Sequence, residues 1–196
     1  MITPSALNCG IQIMTIKDTN IRYGYISMLN HWLGVTLMLS LLLFGWSMEE
    51  YESQWAEISS SELHISMGIS LLLLTIIRFA WRTTNTTPPY PAAMPDWQKR
   101  VSRLMKYSLY ATMIALSITG WILVNADGQT VSVFGLFNMP DIAPRSYGLE
   151  EMMEETHEVL VSVFLFLAGM HILAAIKHHF FDKDYVLTSM LPRKKL

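Results

Sequence analysis

The chain has 196 residues, of which 52% are apolar and only 15% are charged. An average soluble domain carries about 25% charged residues, so this composition is typical of a membrane protein. High hydrophobicity with little charge excludes a disordered chain. The net charge of -2 gives no attraction for phosphates, so no nucleic-acid partner is expected.

Apolar residues are concentrated in four stretches, each close to the roughly 20 residues needed to cross the hydrocarbon core of a bilayer. These stretches cover residues 26–48, 63–81, 104–124 and 157–180. Backbone groups in lipid must be satisfied within their own segment, so each stretch is predicted to be a transmembrane helix. The expected fold is all-α, an integral membrane four-helix bundle in the lipid bilayer. The alternative is a soluble bundle with a large core, but four such stretches leave little polar surface.

Basic residues are distributed unevenly between the two sides of the predicted bundle. Two precede the first stretch, six lie around the second connection and five follow or end the fourth stretch, which makes 13 of the 14: Lys17, Arg22; Arg78, Arg82, Lys99, Arg100, Arg103, Lys106; Lys177, Lys183, Arg193, Lys194, Lys195. Arg145 is the exception. Cytoplasmic loops carry most Lys and Arg, so the N- and C-termini are both predicted to be cytoplasmic. The expected parts are an N-terminal cytoplasmic tail (1–24), a four-helix transmembrane domain (25–181) and a basic cytoplasmic tail (182–196).

Acidic residues follow the opposite pattern and lie mainly on the predicted outer side. They are Glu49, Glu50, Glu52, Glu57 and Glu62 in the first outer connection, and Asp127, Asp141, Glu150, Glu151, Glu154, Glu155 and Glu158 in or beside the second. The outer side should therefore have a negative potential. Such a pattern is typical of solubility and topology control; the alternative is a docking face for a cationic partner.

All six histidines lie in or at the end of a predicted span: His31, His64, His157, His171, His178 and His179. Ionisable residues inside a membrane are costly and are usually functional. His157 and His171 are 14 residues apart, which on a helix is about 21 Å and within about 40° of the same face. The direction of each span pairs His64 with His157 near the outer surface, and His31 with His171 nearer the inner surface.

Each level therefore offers two inward histidines from different helices. A small metal ion usually takes about four ligands, whereas haem iron needs only two axial ligands from the protein. The pattern favours a bis-histidine b-type haem at each level of the bundle. No Cys-x-x-Cys-His motif occurs, which excludes covalent c-type attachment. Gly34, Gly68 and Gly169 would make room for a flat ring, or would serve helix packing.

The sequence also resembles a known family, the bacterial cytochrome b561 family of four-helix, di-haem membrane proteins. The matching motifs are Asn30-His31-Trp32, Leu63-His64-Ile65-Ser66-Met67-Gly68-Ile69-Ser70, Thr156-His157-Glu158, Gly169-Met170-His171, Lys177-His178-His179-Phe180-Phe181-Asp182-Lys183-Asp184 and Met190-Leu191-Pro192. Together they extend over residues 21–195. The resemblance implies a bacterial inner-membrane protein that transfers electrons through two haem b groups between a periplasmic-side donor and membrane quinone. Ubiquinone is then the acceptor, and in one branch of the family superoxide is the donor.

Three residues are candidates for cofactor binding beside the four histidines, which would ligate the iron. Arg78 lies 14 residues after His64, near the inner level, where it would hold a haem propionate or extend to the headgroups. Lys106 stands where some family members have another histidine; it would donate a hydrogen bond near an inner quinone site or extend to the headgroups. His178 lies seven residues beyond His171 and is either a proton donor to reduced quinone or an interfacial histidine.

Three functions remain open at this point. The first is an electron-transfer module for a basic periplasmic redox protein, and the second is a superoxide:ubiquinone oxidoreductase. Superoxide is an anion, and Arg145 stands alone against about a dozen acidic residues on the outer side, so long-range attraction is reversed. The third is a metal-ion transporter that uses the membrane histidines, which predicts no haem absorption in the purified protein.

Overall fold

The structure is a computed structural model, and it describes residues 15–20, 22–50 and 54–191. Within this part of the chain the long helices are α1 (Tyr25–Glu50), α2 (Gln54–Thr84), α3 (Asp96–Asp127) and α4 (Tyr147–Phe180). The shorter elements are an antiparallel strand pair, β1 (Ser132–Val133) with β2 (Phe137–Asn138), and a 3-10 turn (Thr188–Met190). All four long helices are long and apolar enough to cross a membrane, which confirms the expected four-helix membrane bundle.

Three helices begin earlier than their apolar stretches: α2 by nine residues, α3 by eight and α4 by ten. A helix continues past the hydrocarbon because its backbone groups bond to one another whatever its side chains are. The residues added are also good helix formers, such as Glu, Gln, Lys and Met. The predicted connections 49–62 and 125–156 are therefore too long. Residues 51–53, which lie outside the described residues, join α1 to α2, and residues 128–146 join α3 to α4.

The helices pack in chain order, α1 on α2, α2 on α3 and α3 on α4. Within the described residues, α4 makes its extensive backbone contacts with α3 and comes less close to α1 and α2. We call the end of the bundle at which α1 and α3 finish the outer end, and the opposite end the inner end. Large apolar side chains such as Leu73 and Phe166 are exposed along the helices, as is usual for helices that face lipid.

In each of the four helices, interior residues recur every seven positions, and together these residues form three layers. Residues seven apart return to within about 20° of the same helix face, about 10.5 Å along the axis. The outer layer consists of Gly45, His64, Gly120 and His157. The middle layer consists of Met38, Leu71, Met113 and Phe164. The inner layer consists of His31, Arg78, Lys106 and His171.

The middle layer is an apolar core. Met38, Leu71 and Phe164 are buried together with Leu41 and Leu116, and Met113 packs against them. The bundle therefore separates its two histidine-containing layers by an apolar layer.

Segments at both termini fold back on the inner end. The carboxylate of Asp18 accepts hydrogen bonds from the backbone N–H of Gly24 at 2.6 Å and from the Ser27 hydroxyl at 2.7 Å. The indole of Trp32 donates to the carbonyl of Met190 at 2.9 Å. Residues 15–20, 22–24 and 182–191 therefore contact the bundle, while the rest of the two predicted tails lies outside the described residues.

The strand pair between α3 and α4 packs against α2. The Ser66 hydroxyl donates to the carbonyl of Ser132 at 3.2 Å and accepts from the N–H of Phe134 at 2.9 Å. Val131, at the start of the pair, is fully buried. Phe134 and Gly135 form the turn with φ of 50° and 69°. This outer connection is therefore an ordered part of the bundle wall.

The middle layer predicts a stability difference between two leucines of α2. Leu71 is 1% exposed and Leu73 is 60% exposed. Leu71→Ala should lower the free energy of unfolding by about 2–5 kcal/mol because it leaves a cavity in the core. Leu73→Ala should lower it far less. Denaturant unfolding of both variants in the same detergent checks this, and equal losses would contradict the layer assignment.

Candidate functional site

The inner layer brings together a histidine from α1 and one from α4. The ring centres of His31 and His171 are 6.5 Å apart, and the ring planes are inclined by 79°. The two residues are 140 positions apart in the chain, so only the tertiary fold makes them neighbours. Both side chains are half-buried.

The outer layer repeats this arrangement between α2 and α4. The ring centres of His64 and His157 are 6.3 Å apart, with the planes inclined by 66°. Helix α4 contributes one histidine to each pair, at positions separated by two seven-residue steps. The two pairs are therefore about 21 Å apart along the helix axis.

The two ring spacings suit one metal ion held between two imidazoles. Nitrogen–metal bonds of about 2.0 Å and a distance of about 1.1 Å from ring nitrogen to ring centre put two opposed ring centres about 6.2 Å apart. Both observed distances match this value to within a few tenths of an ångström. Each pair thus has the donor set and the spacing of a bis-histidine metal site.

The surroundings of the outer pair are suited to a large flat group. A Cβ added to Gly45 would lie 3.4 Å from Cε1 of His64, and one added to Gly120 would lie 3.5 Å from Cε1 of His157. At these distances an alanine in either position would be in van der Waals contact with the histidine ring, so each glycine leaves the space of one methyl group beside a ring. Because α4 also comes less close to α1 and α2 than to α3, the histidines reach across a gap between helices that do not pack closely.

Gly34, Gly68 and Gly169 were expected to make room for a flat ring or to serve helix packing. An added Cβ on Gly68 or Gly169 would meet nothing within 4 Å in the described part of the chain. Gly34 faces Arg78, whose Nη1 would be 3.8 Å from its Cβ. Gly68 lies four residues after His64 and so shares its helix face. The expectation that these glycines make room beside the rings stays a prediction.

Thr119 fixes the orientation of the outer histidine of α4. Its hydroxyl oxygen is 3.0 Å from Nδ1 of His157, and the same hydroxyl donates to the carbonyl of Ala115 at 2.9 Å. The hydroxyl hydrogen is thus used by the backbone, so the oxygen accepts from Nδ1–H. This tautomer leaves the Nε2 lone pair free for a metal ion.

His64 lacks such a side-chain partner. Its Nδ1 is buried and makes no hydrogen bond of normal geometry within the described residues. The backbone carbonyl of Leu41, in α1, faces the ring and is the nearest candidate acceptor. A buried ring nitrogen without a partner is rare in proteins and marks a site that is completed by another interaction.

The inner pair has a cation beside it. The Arg78 guanidinium donates to Nδ1 of His31 at 3.0 Å and lies over the ring of Tyr110 at 5.7 Å. A guanidinium can only donate, so the His31 hydrogen sits on Nε2 in this arrangement. A metal bond from Nε2 therefore requires Arg78 to turn away from Nδ1.

Arg78 also lines a cleft at the inner end, together with Asp18, Tyr23, Ser27, Trp81, Arg82, Thr87, Tyr110 and Met190. The cleft combines a carboxylate, two guanidinium groups and two phenols, and Arg78 joins it to His31. Burial raises the pKa of Tyr23. The cavity volume is about 20 Å³, which is room for about one water molecule, so a larger ligand enters only if the lining residues move apart.

Lys106 and His178 were expected near the inner site, and the structure gives each a different environment. Lys106 belongs to the inner layer, and its ammonium lies 3.5 Å from the Tyr90 hydroxyl and 4.9 Å from the centre of that ring. His178 does not line the cleft; its Nδ1 contacts a carboxylate oxygen of Asp184 at 2.7 Å and one of Asp182 at 3.1 Å. The structure thus brings Arg78, His31 and His171 together, and leaves His178 against the C-terminal segment.

The outer end carries exposed carboxylates on the part of α4 before and directly after His157. Glu151, Glu154, Glu155 and Glu158 are all exposed. Arg145 packs its side chain over the end of α3, where an added Cβ on Gly128 would lie 2.8 Å from its Cδ. The outer end is therefore acidic with one local cation, as the sequence indicates.

Three positions of the site were not identified from the sequence: Gly45, Gly120 and Thr119. A usable signal existed for the two glycines, because Gly45 lies two seven-residue steps after His31 and Gly120 two such steps after Lys106. Thr119 offered none, since a threonine within an apolar span is common and its partner lies on another helix.

Comparison with known proteins adds independent information. A model of a family described as prokaryotic cytochrome b561 matches residues 22–193. The chain is 33% identical to cytochrome b561 homolog 2 of Escherichia coli over 91% of this chain and 95% of that protein. It is 28% identical to a probable superoxide oxidase, CybB, of Yersinia pestis over 89% of this chain and 98% of that protein. It is 31% identical to cytochrome b561 homolog 1 of E. coli over 68% of this chain and 76% of that protein.

The Thr119 contact leads to a test with a matched control in the same helix. Thr119→Val removes the acceptor for Nδ1 of His157 and should weaken metal-group binding at the outer pair about 10- to 100-fold. Thr112 is also buried and bonds to the backbone carbonyl of Ser108 at 2.8 Å, but it contacts no histidine among the described residues. Haem titration of the apoprotein should therefore leave Thr112→Val unchanged. Equal weakening of both variants would show that Thr119 acts only on helix packing.

Proposed function

Because the chain belongs to the prokaryotic cytochrome b561 family, we propose that it is a di-haem b-type cytochrome that transfers electrons between a periplasmic-side donor and membrane quinone. The family and the four spanning helices make it a multi-pass protein of the bacterial inner membrane with a b-type haem and an electron-transfer role. The di-haem proposal rests on one observation, the ring spacing of the two histidine pairs. The family gives no support to a metal-ion transporter.

In this proposal His31 and His171 hold the inner haem, and His64 and His157 hold the outer haem. Haem iron supplies reversible one-electron transfer. The protein supplies the ligands, their spacing and the surrounding charge. Thr119 orients His157, and the middle layer keeps water out of the space between the pairs.

The inner end is assigned to the cytoplasm because it collects 13 of the 14 basic residues. Both termini are then cytoplasmic, and the parts 1–24, 25–181 and 182–196 keep the roles expected for them. The outer pair lies nearer the periplasm, where a soluble donor has access to it. Electrons enter at the outer pair and leave at the inner pair.

The inner cleft is the proposed quinone site, with ubiquinone as the acceptor. A quinone presents two carbonyl oxygens, which accept hydrogen bonds from groups such as the guanidinium of Arg78 and the hydroxyls of Tyr23 and Tyr110. Arg78 lines this cleft and belongs to the same layer as His31, so it places the acceptor site beside the inner pair even when it turns away from Nδ1. Lys106 adds a second positive charge to the inner layer.

Quinone reduction consumes two electrons and two protons, so a proton source at the inner end is required. His178 with Asp182 and Asp184 is the proposed source, because an imidazole and two carboxylates in mutual contact are groups that can carry and pass on protons. The group lies at the inner end of α4, seven residues beyond His171. It would deliver protons toward the quinone rather than contact its ring, since it does not line the cleft.

The acidic outer end favours a basic redox protein as the donor. Carboxylates on α4 before His157 attract a cationic surface and raise its rate of encounter. Such encounters weaken as salt is added, because exposed charges are screened.

Superoxide is the second candidate donor, and the probable superoxide oxidase among the relatives favours it. Two superoxide anions would release two electrons and leave as two O2 molecules, while one quinone takes up those electrons and two protons. The acidic outer end opposes the approach of an anion. Arg145 is the local cation that would have to offset this repulsion.

Haem content tests the ligand assignment. His64→Ala and His31→Ala should each lose one of two b-type haems and keep the other, because the pairs lie in separate layers. His179→Ala is the control, since that ring contacts Phe180 rather than another histidine. Reduced-minus-oxidised spectra and pyridine haemochrome quantification measure the content. Wild-type protein without b-type bands would contradict the proposal. Retention of both haems in either ligand variant would contradict it as well.

Charge on α4 distinguishes the two donors. Neutralising Glu151, Glu154 and Glu155 together to Gln should slow haem reduction by a basic donor protein several-fold at low salt, and should speed reduction by superoxide. Asp96→Asn, at the inner end, should change neither rate. Stopped-flow absorbance measures both reactions. The oxidase function would be favoured if superoxide reduces the haems faster than every basic protein tested and if that rate depends little on salt.

A further inference from the structure

The inner and outer layers differ in charge although their histidine pairs are alike. The two positions beside the inner pair are Arg78 and Lys106, whereas those beside the outer pair are Gly45 and Gly120. All four helices contribute in register to both layers, so the difference comes from residue identity rather than from the fold.

Arg78 is a cation without a balancing carboxylate. Within the described residues no carboxylate oxygen lies at ion-pair distance from its guanidinium, which contacts His31 and the face of Tyr110. Asp18 lines the same cleft, but its oxygens accept from the Gly24 N–H and the Ser27 hydroxyl. A guanidinium is charged at every physiological pH. If Arg78 turns away from Nδ1, its Cα on α2 still keeps the charge in the inner layer.

Lys106 adds a second positive charge to the inner layer. Its ammonium is half-buried against Tyr90, and its charge acts on His171. No cation stands beside the outer pair in the described part of the chain apart from Arg145 on the surface. Thr119 is neutral, and Glu158 follows His157 directly with an exposed carboxylate.

Oxidised iron carries one more positive charge than reduced iron, so a nearby cation destabilises the oxidised form more. The effect is large where water is excluded and the dielectric constant is low. Haem potentials respond to such local charge and burial. Resting on the di-haem function proposed above, we infer that Arg78 and Lys106 raise the reduction potential of the inner haem above that of the outer haem and so direct electrons inward. Both are positioning residues, since each acts through the inner pair.

A redox titration of purified holoprotein tests this inference through spectra rather than turnover. Wild type should show two midpoint potentials, one for each b-type haem. Arg78→Gln should lower the higher potential by at least 59 mV, which for a one-electron couple changes the equilibrium constant of electron exchange between the haems tenfold. Arg78→Lys, which keeps the charge, should retain most of the difference. Arg103→Gln removes an exposed cation of α3 and should leave both midpoints unchanged.

Assignment of the shifted midpoint uses His64→Ala, which keeps only the inner pair. Its single midpoint should match the upper one of wild type and should fall when Arg78→Gln is added. Lys106→Gln should also lower the higher midpoint potential, and this effect does not depend on the contact between Arg78 and His31. The inference is overturned if Arg78→Gln and Lys106→Gln leave both midpoints in place, or if they lower the outer one. Protein with fewer than two b-type haems would instead overturn the di-haem function.

Discussion

The seven-residue register of the four helices is the constraint on which the rest of the structure depends. Side chains seven positions apart share one helix face, so each helix presents three interior positions at intervals of about 10.5 Å. Four helices in register place these positions in three layers, and both histidine pairs are consequences of that alignment. A one-residue shift of α4 would rotate His157 and His171 by about 100° and separate both pairs at once.

Charge along the bundle axis changes in the same direction as the proposed electron flow. The outer end is acidic, the outer layer is neutral, the middle layer is apolar and the inner layer contains Arg78 and Lys106. In the proposed function, the charge distribution that orients the chain in the membrane also distinguishes its two redox sites. Orientation and redox function would then share one set of residues, because the arginines and lysines of α2 and α3 lie at the inner end, which is the proposed cytoplasmic end.

The sequence predicts the four spans, because a stretch of about twenty apolar residues in lipid can satisfy its own backbone hydrogen bonds only as a helix. It also predicts which histidines share a depth, since span direction and helical rise fix the depth of each. It does not predict that α2, α3 and α4 begin eight to ten residues earlier, because helix extension in water depends on weak propensities. The contacts of Thr119 with His157 and of Ser66 with the strand pair are equally inaccessible, since they join positions far apart in the chain.

The most direct measurement of the central claim is electron paramagnetic resonance of the oxidised, purified protein. The account predicts two low-spin ferric signals of the strongly anisotropic kind produced by inclined imidazole planes, since the rings of the two pairs are inclined by 79° and 66°. His64→Ala should remove one of these signals and leave the other. A single signal in wild type, or a high-spin signal in place of either one, would contradict the claim that each layer holds a haem between two histidines.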